Sequence, residues 1–118
     1  MPIPQNAIVW DEPMDPYDVV DYTIDLSPLL TTNESIDTFT AIPGAESQLL
    51  GLTVGDGDYA PEISANVLRI WLSIAPGKQT SASFLNTGVS LPIEISVTTN
   101  SSPSRKHQRT VVVKVLER

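Results

Sequence analysis

His107 is the only histidine in the sequence, and its imidazole is the side chain best suited to proton transfer near neutral pH. A hydrolytic triad would need this imidazole as its general base, which becomes positively charged when it accepts a proton. Arg105, Lys106 and Arg109 surround it in the chain, and their charges disfavour the imidazolium form. We therefore interpret His107 as a solvated turn residue and predict that the protein is not an enzyme and has no catalytic residues.

A second kind of chemistry depends on carboxylates. Asp56, Asp58 and Glu62 lie close together in "GDGDYAPE", and calcium prefers oxygen ligands at such short spacing. The stretch lacks the loop of an EF-hand, and the same residue types are typical of a solvated turn. We predict no metal and no cofactor, with calcium binding by these three residues left open. Residues 1–68 hold so many acids, twelve in all, that pairs suited to glycoside hydrolysis arise by chance.

The charges are divided between the two halves of the chain. Residues 1–68 hold twelve Asp or Glu residues and no Lys or Arg, whereas residues 69–118 hold seven basic and two acidic residues. The net charge of the whole chain is -7. This asymmetry predicts that the acidic half meets the basic half, in the same copy or in a neighbouring one.

Arg105, Lys106 and Arg109 are the main candidates for a charge-based binding surface. Proteins that bind nucleic acids combine such clusters with aromatic side chains on which bases stack. Residues 98–118 contain no Phe, Tyr or Trp, and the acidic remainder of the chain repels phosphate. We therefore expect a protein partner and no nucleic acid. Since we find neither a secretory signal nor an apolar run long enough to span a bilayer, we expect no membrane partner.

Alternating residues predict the strands that must position these side chains. Four of the ten prolines fall within residues 1–16, which we interpret as an extended contact arm preceding one domain, residues 17–118. A period of two predicts strands in "YDVVDYTIDL", "ESIDTFTAI", "SQLLGLTV", "ISANVLRIWLSI", "VSLPIEISVTT" and "RTVVVKVLER". The fourth is the longest strand predicted, and the last two form a hairpin. The fold predicted is all-β, an immunoglobulin-like antiparallel β-sandwich of about seven strands.

Ile3, Ile8 and Trp10 are the predicted anchors of the arm. A short stretch with few apolar side chains does not order itself, so a partner must supply the burial. Buried aromatic and aliphatic side chains dominate the energetics of interfaces, which makes these three residues the predicted contacts. Trp71 is either a further anchor or a core residue.

Three segments resemble small immunoglobulin-like structural proteins of tailed bacteriophages. The segments are "DYTIDLSPLLTTNESIDTFT", "VLRIWLSIAPGK" and "IEISVTTNSSPSRKHQRTVVVKVLER". The positions that carry the resemblance are Tyr22, Asp25, Ser27 and Leu30 of the opening, Trp71, Leu72 and Ser73 of the middle strand, and Val97, Thr98, Thr99, Arg105, Arg109 and residues 111–115 of the closing hairpin.

This resemblance implies a non-enzymatic component of the virion. Such a protein would bind other virion proteins as a capsid decoration protein or as a neck or tail-fibre adaptor, and we expect a homo-oligomer. The residues themselves leave one alternative, a stand-alone adhesion or carbohydrate-binding module. Sugar binders present exposed aromatic side chains, and Tyr59 and Trp71 are the candidates for that role.

Overall fold

The computed structural model describes residue 3 and residues 7–117, and within them the chain is mostly β-structure arranged in two sheets. The strands are β1 (Ile8–Val9), β2 (Val19–Asp25), β3 (Ile36–Pro43), β4 (Leu52–Val54), β5 (Glu62–Ser64), β6 (Val67–Ile74), β7 (Val89–Thr99) and β8 (Lys106–Val115). One short helix, α1 (Ala45–Leu49), and several single turns of 3-10 helix connect them.

Sheet A has the strand order β1-β8-β7-β3. Its centre is the β7–β8 hairpin, as predicted, with Val89 opposite Val115 and Thr98 opposite Lys106. Sheet B is built around β6, which pairs with β2 along one side. On its other side β6 pairs with β4 at one end and with β5 at the other.

The core lies between the two sheets and follows the alternation of the sequence. Because side chains on a strand point alternately to opposite faces, each apolar row of period two faces the other sheet. The buried apolar residues of the strands include Tyr22 and Ile24 of β2, Leu52 of β4, Leu68, Ile70, Leu72 and Ile74 of β6, Leu91, Ile93, Ile95 and Val97 of β7, and Val111, Val113 and Val115 of β8. In β2, β6, β7 and β8 the side chains of this core are therefore those of alternate residues, as the period of two requires.

Residues 7–16, which belong to the predicted arm, lie against the sandwich. Ile8 pairs in parallel with Val111, and further along Met14 N–H donates to Lys114 O at 2.9 Å. Met14 is fully buried in the core, a position that the sequence did not reveal. Strand β8 supplies both the hydrogen bonds and the apolar surface, so the fold itself orders this stretch. Residues 1–2 and 4–6 of the predicted arm lie outside the described residues.

Two of the strand predictions are wrong. The segment "SQLLGLTV" is not one strand, because α1 occupies its first half and only Leu52–Val54 is extended. The helix carries the chain from sheet A to sheet B, and Ser47 fixes it by donating its hydroxyl to Pro92 O at 2.8 Å. The segment "ISANVLRIWLSI" is likewise divided into β5 and β6. Ala65 and Asn66 have φ of 50° and 64°, the left-handed conformations that a tight two-residue hairpin turn requires.

Gly88 lies just before β7, where the backbone passes close to the end of β8. Its φ is 73°, and a Cβ at this position would collide with Val115 O. Gly77 provides a contrast, because a Cβ added there would meet nothing within 4 Å. Only the first of these glycines is required by the geometry of the chain.

We predict that Gly88→Ala lowers the free energy of unfolding by about 1–3 kcal/mol, because alanine is strained at positive φ and the backbone must move. Gly77→Ala should change it by about 0.5 kcal/mol or less. Urea denaturation followed by tryptophan fluorescence measures both values. Equal stability of the two variants would contradict the prediction.

Candidate partner-binding surfaces

The side of the sandwich formed by β1 and β2 holds two of the predicted anchors. Ile8 is 42% exposed and the neighbouring Val9 is 59% exposed, so this strand leaves apolar surface open to solvent. Trp10 behaves differently. Its ring stacks on Tyr22 with centroids 4.7 Å apart, and its indole N–H donates to Thr23 O at 2.9 Å. Trp10 therefore joins the edge of sheet A to the edge of sheet B.

The third predicted anchor, Ile3, is exposed, and its neighbours in the chain lie outside the described residues. The structure thus places Ile8 at the open edge of sheet A and turns Trp10 inward. Of the predicted anchors, Ile3 and Ile8 keep a side chain that a partner can reach.

A groove of about 560 Å³ runs along the same side of the molecule. Its lining residues are Trp10, Asp11, Glu12, Pro13, Asp18, Val20, Asp21, Tyr22 and Thr23. Four of these side chains are carboxylates, and the walls include two aromatic rings. The groove therefore has a negative potential and suits a cationic side chain better than an anion. No local pattern in the sequence predicts this groove, because it forms only when residues 10–13 fold against residues 20–23.

The predicted basic residues share one end of the β7–β8 hairpin without forming a single surface. Arg105 binds Glu34 of the same chain, with Nη1 to Oε1 at 3.1 Å. Arg109 directs a guanidinium N–H to Gln108 O at 2.8 Å. Because Lys106 and Arg109 are three residues apart on one strand, their side chains point to opposite faces of sheet A.

Glu34 is the centre of a buried polar network that holds this hairpin end. Its carboxylate accepts hydrogen bonds from Thr31 N–H at 3.0 Å, Ser101 Oγ at 2.8 Å and Arg105 Nη1 at 3.1 Å. The pKa of Glu34 is lowered from 4.5 to about 2, mainly by the hydrogen bonds from the Thr31 N–H and the Ser101 hydroxyl. The positive charge of Arg105 lowers this pKa by a smaller amount. The network connects the loop between β2 and β3 to the last hairpin.

Arg69 makes a second connection between the acidic and basic halves of the chain. It lies on the outer face of sheet B, 3.3 Å from Asp21 Oδ2 and 3.6 Å from Glu62 Oε1. All three side chains are substantially exposed, so these pairs contribute little to stability. Together with the pair of Arg105 and Glu34, they show that acidic and basic halves meet within one copy.

Trp71 lies on the outer face of sheet B and is half-buried there. Tyr59 packs edge-on against it with ring centroids 5.2 Å apart, and Tyr59 itself is 48% exposed. Gly55 makes this contact possible, because its N–H donates to Trp71 O at 2.8 Å and a Cβ on it would lie 2.6 Å from the Tyr59 Cβ. On the same face, a depression of about 400 Å³ is lined by Thr23, Glu62, Ser64, Val67 and Arg69.

The residues considered for chemistry are not brought together. Glu62 pairs with Arg69, whereas Asp58 lies in a 3-10 turn, Gly57–Tyr59. Across the described part of the chain, no group of three or more His, Asp or Glu side chains is placed to hold a metal ion. His107 is not the solvated turn residue that the sequence led us to expect: it lies opposite Val97 within β8, and no described residue is a hydrogen-bond partner of its buried Nε2.

Comparison of the sequence with protein-family models gives no match. A comparison with curated proteins gives none either. Among residues 7–117, no helix is long and apolar enough to cross a membrane.

We predict that Glu34 makes the stability of the protein depend on pH in the acid range. Since the pKa of Glu34 is lower in the folded protein than in the unfolded chain, its carboxylate stabilises the fold fully above pH 4.5, and this contribution is lost as the pH falls towards about 2. Glu34→Gln should be less stable than the wild type at pH 7, and the difference should shrink between pH 4.5 and 2.

Thermal unfolding of both proteins at a series of pH values measures this difference. Glu46→Gln, which removes an exposed carboxylate at the start of α1, is the control for the loss of one charge. If the difference in melting temperature between Glu34→Gln and the wild type is constant from pH 7 to pH 2, the Glu34 carboxylate has no such role.

Proposed function

We propose that the protein is a non-enzymatic structural component of a tailed-bacteriophage virion. It is an immunoglobulin-like β-sandwich that binds other virion proteins as a capsid decoration protein or a neck or tail-fibre adaptor. The contacts are made by the N-terminal stretch around Ile3 and Ile8 and by charged surfaces, including Lys106 and Arg109. In the particle it acts as a homo-oligomer.

The strand order supports the immunoglobulin-like part of this proposal. In such folds the second, fourth and fifth strands of the seven share one sheet, and the third, sixth and seventh share the other. Here β2, β4, β5 and β6 lie in sheet B, while β3, β7 and β8 lie in sheet A. The three segments that resemble phage proteins fall on β2 and the first part of β3, on β6, and on the β7–β8 hairpin, so they cover strands of both sheets.

The exposed apolar edge beside the N-terminal stretch is the observation that carries the binding role. Val9 and Ile8 lie on the outermost strand of sheet A with much of their surface in water. An apolar strip at a sheet edge, next to an acidic groove, is typical of a contact surface.

The first test uses phage particles purified from a culture whose phage carries the gene for this protein. We expect the protein to band with intact phage on a density gradient and to be detected there by an antibody raised against the chain. Its absence from infectious particles would refute the virion role.

Binding by the N-terminal edge is tested by adding the purified protein back to particles made without it. Ile8→Glu should reduce the bound protein about tenfold or more, because it buries a charge in the contact. Leu85→Glu changes a comparably exposed leucine outside this edge and should bind like the wild type. Circular dichroism confirms that both variants are folded.

The pair of Tyr59 and Trp71 favours a second candidate function, carbohydrate binding. An exposed aromatic ring braced by a second ring, beside a polar depression with a guanidinium and a carboxylate, has the elements with which proteins hold a sugar ring and its hydroxyl groups.

If the second candidate is correct, the isolated protein will bind sugars on a glycan array, and Tyr59→Ala will abolish the signal because it removes the exposed ring. Tyr17→Ala is the matched control, since Tyr17 is also exposed but lies outside this face. A signal that survives Tyr59→Ala, or no signal from the wild type, would exclude the face as a sugar site.

A further inference from the structure

Strand β3 is an edge of sheet A, and in the described structure no strand pairs with its outer side. Its other side is paired with β7. Residues 38–43 carry no charged side chain, although the chain as a whole is strongly acidic. Natural proteins usually protect an exposed edge with charges, a very short strand or a bulge. The two-residue β1 and the acidic β2 follow that rule, whereas most of β3 does not.

The hydrogen bonds of β7 show which backbone groups of β3 are available. Gly44 N–H donates to Pro92 O at 3.0 Å, so the carbonyl of Pro92 points to the β3 side. Thr99 N–H donates to Arg105 O at 2.9 Å, so the amide of Thr99 points to the β8 side. Since successive residues of a strand alternate, the even-numbered residues of β7 face β3.

The register between the two strands then identifies the free groups. Thr40 lies opposite Ser96, an even-numbered residue of β7, and its backbone is therefore directed into the sheet. Its two neighbours, Phe39 and Ala41, direct their N–H and C=O groups outwards.

Both ends of this open edge are closed by other groups of the same chain. Pro43 O accepts a hydrogen bond from Gln48 Nε2 at 2.8 Å. At the other end, Ile36 N–H donates to Asn66 Oδ1 at 3.2 Å, and a register shift follows between Ile36 and Thr38. Between this irregularity and Pro43, the outward backbone groups are those of Phe39 and Ala41, which present two donors and two acceptors.

We propose that a second copy of this chain pairs with β3 in antiparallel orientation about a twofold axis at Thr40. Phe39 then faces Ala41 of the second copy, and Ala41 faces Phe39 of the second copy. Each of these pairs exchanges two hydrogen bonds, so all four backbone groups of each copy are used. If one copy is shifted by two residues along the other, some of these four backbone groups have no partner. The two sheets A become one continuous sheet of eight strands.

The side chains and charges fit a second copy better than a charged peptide. On one face Phe39 lies beside the small Ala41 of the other copy, which leaves room for the ring. On the other face Thr40 meets Thr40, and Ile42, which is 54% exposed, comes opposite Thr38 and loses contact with water. Two acidic molecules repel each other at most surfaces, but residues 38–43 bring no carboxylates together. The interface does not rest on the proposed virion role.

Sedimentation equilibrium of the full chain tests this interface. We expect a dimer for the wild type. Ala41→Pro removes an outward N–H at an edge position that tolerates proline, and it should raise the dimer dissociation constant about tenfold or more. Thr40→Glu should dissociate the dimer because two carboxylates meet at the axis. Thr23→Glu, which adds the same charge to the edge of sheet B, should leave it intact.

Two further variants test the register. Mixing Thr40→Glu with Thr40→Lys should restore the dimer, because opposite charges then face each other. Thr40→Cys should form a disulfide-linked dimer under mild oxidation, since residues in a non-hydrogen-bonded antiparallel pair lie about 4.5 Å apart at Cα, and the chain has no other cysteine. A wild type that is monomeric at all concentrations, or a dimer indifferent to Ala41→Pro and Thr40→Glu, would overturn the proposal.

Discussion

The apolar row of β8 is the constraint on which the rest of the structure depends. Val111, Val113 and Val115 are fully buried, and they can be so only if sheet B covers them. The same strand hydrogen-bonds on both of its sides, to β7 along its whole length and to the N-terminal stretch beyond it. Because β8 is central in sheet A, its positive charges are distributed over the two faces and the end of a sheet.

Period-two alternation predicted the two-sheet core because it records directly which side chains avoid water. It identified β2, β3, β7 and β8, and it located β6 without separating it from β5. It failed where the determining contact is distant in the chain. The helix α1 is held by Ser47 on Pro92, and β1 exists only because β8 lies beside it. The turn at Ala65 and Asn66 was missed because its residues interrupt the pattern for only two positions.

The candidate surfaces were harder to predict from the sequence than the core. The charge asymmetry correctly indicated that acidic and basic halves meet, but the partner of Arg105 is Glu34, 71 residues away, which no local pattern specifies. Tyr59 and Trp71 were recognised as aromatic candidates separately, and their contact depends on the glycine that lets the loop approach β6. The groove and the open edge of β3 follow from topology, which single residues do not encode.

The parallel contact between β1 and β8 has a consequence for biosynthesis. Of the eight described strands, β1 is synthesised first and β8 last, so the backbone of β1 lacks its pairing strand until β8 has been made. Closing a contact of such high sequence separation is slow compared with forming a local hairpin. Until then Met14, whose N–H donates to Lys114 O, also lacks its native environment.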